Sequence, residues 1–137
     1  MKKIDRRAAL AIGLAAASAA MVKPAAAQPY AATAGKEVAP GVRQVDLGKR
    51  PSMIPAYKTV SMRDVVYQPK AKTSNPSMPN DMVCHCAEGE LRINQAPGME
   101  FVVKKGDVWS RNTGLPENTE NIGDGVSIMR VIDFDRA

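Results

Sequence analysis

From Tyr57 onward the chain alternates apolar and polar residues with a period close to two, and turn residues interrupt it every few positions. "YKTVSMRDVVYQP" alternates loosely and is rich in Val, Thr and Tyr, which suit a half-buried pleated surface. "MVCHCAEGELRINQ" predicts a strand, a break at Gly89 and a second strand. Pro97-Gly98 fits the centre of a hairpin turn, "MEFVVKKGDVWSR" carries the next strand and a turn at Lys105-Gly106-Asp107, and "VSIMRVIDF" closes the pattern. "KAKTSNPSMPND" and "NTGLPENTENIGDG", crowded with Pro, Asn, Ser and Gly, are expected as long loops. Residues 28–52, rich in Ala, Pro, Gly and Lys, are expected as a mobile arm leading into an edge segment near Val42 to Leu47. Short strands between Gly/Pro turns, with no 3.6-residue stripe after residue 27, predict an antiparallel barrel or sandwich.

The first 27 residues follow a different pattern. Lys2, Lys3, Arg6 and Arg7 precede an Ala-rich apolar run from Ala8 to Val22, and Ala25-Ala26-Ala27 precedes Gln28. That is the layout of a cleavable export signal ending after Ala27. Asp5-Arg6-Arg7-Ala8-Ala9-Leu10 resembles the twin-arginine pattern, whose machinery carries proteins already folded. No later segment is apolar enough to span a membrane, so a periplasmic or secreted bacterial protein is expected. Removing the leader takes away five basic residues and one acidic residue. Of 19 Lys and Arg 14 remain, and of 14 Asp and Glu 13 remain, a net charge of +1. The alkaline balance therefore belongs to the leader. Without a basic stripe or interleaved aromatics, nucleic acid is not an expected partner.

A family resemblance rests on "GDVWSRNTGLPENTEN", Gly106 to Asn121. It resembles the second motif of the cupins: G, five residues, P, one residue, G, two residues, H, three residues, N. Gly106 and Gly114 fall on the two glycines and Asn121 on the asparagine, while Asn112 replaces the proline and Glu117 the histidine. The end of the first motif resembles Met82 to Gly89, with Met82 at the family's glutamate position. The paired histidine positions fall on Asn75 and Ser77, or on Pro76 and Met78. The resemblance implies an all-β fold, a cupin-like antiparallel β-barrel (jelly roll) over residues 53–137, and a homodimer. It leaves function open, because cupins include oxygenases, isomerases, lyases, ligand binders and storage proteins. The family's metal site resembles three histidines and a glutamate, whereas this chain has one histidine.

That histidine lies in Cys84-His85-Cys86. If Met82 points into the barrel as the family's glutamate does, strand alternation turns Cys84 and Cys86 inward and His85 outward. Glu117 would reach the same cavity from the second motif. Cys84, Cys86 and Glu117 are thus a possible metal set, with Met82 beside them and Asn75, His85 and Asn121 as further ligand-binding positions. Two thiolates and a thioether suit Zn(II) or Cu(I). Inward Cys and Met are what core packing alone would give, and redox chemistry is a third reading. A Cys84–Cys86 disulfide is disfavoured, since their Cα atoms lie about 6.6 Å apart along a strand. Three functions stay open: a module binding a metal or small ligand, a metal-dependent enzyme with Glu117 as ligand or general base, and an accessory barrel filled by side chains.

Overall fold

The computed structural model describes residues 30–136. The expected leader, residues 1–27, and Gln28 lie outside them. Ten strands follow in order: β1 (Lys36–Ala39), β2 (Val42–Pro51), β3 (Tyr57–Tyr67), β4 (Lys72–Asn75), β5 (Asp81–Glu88), β6 (Glu90–Asn94), β7 (Glu100–Lys104), β8 (Val108–Arg111), β9 (Glu117–Asn121) and β10 (Ser127–Arg136). They form a six-stranded sheet, β1-β2-β3-β10-β5-β8, and a four-stranded sheet, β4-β9-β6-β7. Every pairing is antiparallel. The all-β prediction thus matches the structure.

The turns lie where the sequence places them. Met99 N donates to Ala96 O at 2.9 Å around Pro97-Gly98, and Gly98 takes φ 80°. Pro before Gly there is the signature of a type II turn. Gly89 divides β5 from β6 at φ 78°, and a Cβ on it would lie 2.1 Å from Ser127 Oγ. The hydroxyl needs that space, because it accepts a hydrogen bond from Glu90 N at 3.0 Å.

The expected arm and both expected loops need correction. Residues 36–51 are mostly strand, and β2 sits inside the sheet between β1 and β3, so the edge is β1. Even the residues before β1 are held. Arg43 Nε donates to Ala34 O at 2.8 Å and its Nη2 to Gly35 O at 2.7 Å. Tyr30 donates its hydroxyl to Asp64 Oδ2 at 2.6 Å on the outer side of the sheet. The first loop contains β4 and the second contains β9. "ENTEN" is unreadable as a strand by hydrophobicity because its buried row, Glu117, Thr119 and Asn121, is polar throughout. Backbone pairing to β4 and β6 and side-chain partners inside the barrel compensate that burial.

The core fills the space between the sheets. Val65, Tyr67, Met82, Cys84, Cys86, Met129 and Val131 from the larger sheet meet Leu91, Ile93 and Val103 from the smaller. Alternation along β5 is as expected: Met82, Cys84 and Cys86 are buried, while Val83 is exposed and His85 half-buried. His85 lies opposite Arg130 on β10 and Val108 on β8, on the outward face.

Candidate functional site

Two inward rows meet at one end of the barrel. β9 presents Glu117 and Thr119, and β8 presents Trp109 and Arg111. Glu117 is fully buried, and each of its oxygens is engaged. Arg111 Nη1 and the Thr119 hydroxyl, at 3.1 Å, donate to Oε1, and Gln95 Nε2 donates to Oε2 at 3.1 Å. Arg111 is itself nearly buried and gives its Nε to Met82 Sδ at 3.2 Å. A charge-assisted ion pair sealed from water is held by such geometry rather than by Coulomb attraction alone, since desolvating two ions is costly.

A second arginine approaches from β3. Arg63 Nε donates to Asp133 Oδ2 at 2.8 Å and its Nη1 to Gln44 Oε1 at 2.9 Å, while Nη2 lies 3.9 Å from Met82 Sδ. Both guanidinium groups therefore contact one thioether. Beside them a cavity of about 340 Å³ opens, bounded by Gln44, Arg63, Ser74, Asn75, Arg111 and Thr119 among others. Tyr67 also borders it. Its hydroxyl pairs with Thr73 Oγ1 at 2.8 Å, and burial pushes its pKa up to about 12, so the phenol stays neutral.

The expected metal set does not assemble. Among the described residues no group of three His, Cys, Asp or Glu side chains converges as a metal requires. Glu117 already accepts hydrogen bonds from Arg111, Gln95 and Thr119. Cys86 turns its Sγ toward Glu88 O at 3.4 Å and Gly89 O at 3.6 Å, the turn that closes β5. Burial raises the Cys84 thiol to about 12 and the Cys86 thiol to about 11, so both are protonated at neutral pH. Both behave as small apolar core residues. The residues present therefore do not fit Zn or Cu at this set.

The remaining expected positions separate. Asn75, at the end of β4, borders the cavity. Met82 sits behind it, carrying the two arginines. Asn121 does neither: its Nδ2 donates to Tyr67 O at 3.0 Å and to Gly125 O at 2.9 Å, and its Oδ1 accepts from Gly123 N and Ser127 Oγ, both at 2.9 Å. It ties the β9–β10 turn to β3. His85 faces away from the barrel interior. The sequence reading missed Arg111, Arg63 and Gln95. Strand parity held a usable signal for Arg111, because an inward Trp109 turns the residue two positions on inward as well. Nothing in local sequence signals Arg63, whose strand alternates only loosely.

No protein-family model matches the chain, and no curated protein matches it. Solved structures do. KdgF from Halomonas sp. superposes with a TM-score of 0.59 at 13% identity, over 74% of this chain and 86% of that one. An RmlC-like cupin from Shewanella frigidimarina gives 0.55 at 14% identity, over 72% and 80%. A predicted oxalate decarboxylase from Thermotoga maritima gives 0.56 at 16% identity, over 68% and 79%. At such identities the likeness concerns backbone and not chemistry. With its two antiparallel sheets closed around one core, the chain has the fold of the cupins.

Proposed function

We propose that this protein is an exported binding module that holds a small organic molecule in the mouth of a cupin barrel and needs no metal to do so. One observation carries the reading: the Arg111 guanidinium occupies the Glu117 carboxylate from within the barrel, where a metal on that carboxylate would compete with it. The protein's own cation thus neutralises the motif-2 side chain. Beside it lies a cavity whose polar lining suits hydrogen-bonded recognition, backed by Val65, Met78 and Met129. The same engagement argues against the metal-dependent enzyme, because Glu117 tied to a guanidinium is a poor ligand and a poor base.

Export and pairing belong to the same reading. The twin-arginine-like leader supports a periplasmic or secreted address, and the buried, unpaired thiols are protected there by packing. Among the described residues no helix is long and apolar enough to cross a membrane. Supporting a homodimer, the outer face of the six-stranded sheet leaves Met62, Val83 and Val108 exposed along neighbouring strands. The deciding experiment is elemental analysis and small-molecule mass spectrometry on untagged protein from the native exported fraction. Expected are substoichiometric Zn and Cu, thermal stability unchanged by chelator, and a co-purifying organic compound that a Ser74→Trp variant no longer carries. Stoichiometric metal lost on replacing both cysteines by valine would overturn the proposal.

A further inference from the structure

The chemical class of that ligand can be read from the cavity wall. Arg63 and Arg111 are the charged side chains that line it; the carboxylates paired with them, Asp133 and Glu117, do not. Around the two cations stand neutral hydrogen-bonding groups: Gln44, Thr73, Ser74, Asn75 and Thr119. The cavity therefore shows a bound molecule the positive side of two ion pairs whose negative sides lie behind the wall.

Arg111 also has unused donor capacity. Its Nε and Nη1 are engaged by Met82 and Glu117, whereas its Nη2 makes no hydrogen bond among the described residues. Trp109 Nε1 is the one fully shielded side-chain nitrogen or oxygen there without a partner. Arg111 lines the cavity, although its side chain as a whole is 3% exposed. A guanidinium held rigid by two partners, with donors free, is pre-organised for an oxyanion, since little side-chain entropy remains to be lost on binding.

Resting on the barrel-mouth reading above, we infer that the ligand carries a carboxylate or phosphate group, anchored by Arg111 with Arg63 assisting, and that its remaining polar groups meet Asn75, Ser74 and Thr119. Low dielectric around a nearly buried guanidinium strengthens such a contact relative to one at the surface. The cavity volume of about 340 Å³ fits a compact molecule.

The test uses the mature chain from Gln28, titrated by calorimetry and thermal shift at constant ionic strength. The probes are acetate, succinate, inorganic phosphate, glucose 6-phosphate and, as neutral controls, glucose and glycerol. Saturable binding of at least one anion, with glucose and glycerol at least about tenfold weaker, is expected from the charge-assisted contact. Acetate and succinate against phosphate and glucose 6-phosphate separate the two anion sources. Because removing Arg111 alone strands Glu117, the variants are the charge-balanced pairs Arg63→Gln/Asp133→Asn and Arg111→Gln/Glu117→Gln. Both should fold and lose anion affinity about tenfold or more, and Asn75→Ala should lose less. If the neutral probes bind as well as the anions, and Ser74→Trp abolishes that binding, the ligand class falls while the barrel-mouth reading survives. Anion binding that the balanced variants retain would also overturn the assignment. Failure of every probe to bind would overturn both.

Discussion

Glu117 is a carboxylate sealed inside the barrel. Such a carboxylate needs a cation, and Arg111 supplies it from β8 in the facing sheet. Breaking a buried pair from one side leaves an uncompensated charge, at a cost of about 3–5 kcal/mol. Arg111→Met should therefore lower unfolding stability by about that amount, and Arg111→Met/Glu117→Leu should recover most of it. Urea denaturation of the four-member cycle at neutral pH measures this, and additive losses would show that the pair is not coupled. The thiols make a second prediction. Cys84 has its pKa raised from an ordinary 9.0 to about 12, so above pH 9 the unfolded chain sheds a proton that the folded chain keeps. The folded state then binds more protons, and stability falls as pH rises from about 9 toward 12. Cys84→Val should flatten that alkaline slope in pH-resolved chemical denaturation. An unchanged slope would place the linkage elsewhere.

Between strands, the β5–β6 and β6–β7 turns offer a matched comparison. Gly89 and Gly98 adopt nearly the same backbone, φ 78° and φ 80°. Around Gly98 nothing lies within 4 Å of an added Cβ, while at Gly89 the Ser127 hydroxyl and backbone are in the way. Gly98→Ala should then cost only the conformational strain, about 1 kcal/mol, and Gly89→Ala should cost at least about 2 kcal/mol more. Equal shifts in denaturation midpoint would mean that β10 yields easily at Ser127. β9 illustrates the opposite relation between pattern and element. Its hydrophobicity predicts a loop, yet the strand forms because Gln95, Arg111 and Tyr67 offer partners to its inward polar row. Gln95 and Tyr67 lie 22 and 54 residues from the groups they meet, and even Arg111, six residues before Glu117, reaches it only across the gap between the sheets.

For the molecule as a whole, the proposed leader makes a prediction separate from those of the barrel. Replacing Arg6-Arg7 by Lys-Lys should block export if folded protein is the cargo, with mature protein otherwise beginning at Gln28. Cell fractionation and N-terminal sequencing check both, and unchanged export of the double variant would return the leader to the general secretory class. Much of the barrel was legible beforehand. Period-two alternation and Gly/Pro turns are local, and they identified the strands from β3 onward apart from β4, β8 and β9. The inward direction of Cys84 and Cys86 followed once Met82 was placed by motif. The site was less legible. Residue types suggested that Cys84, Cys86 and Glu117 share a ligand, because sequence shows which faces residues take but not how far apart facing strands stand. Pairing across the barrel set Cys86 against the β5–β6 turn and put Arg111, from β8, on Glu117. Composition and periodicity are properties of neighbours along the chain. The partner of a buried charge can be near in sequence, as Arg111 is to Glu117, yet the two meet only when the sheets that carry them close on each other.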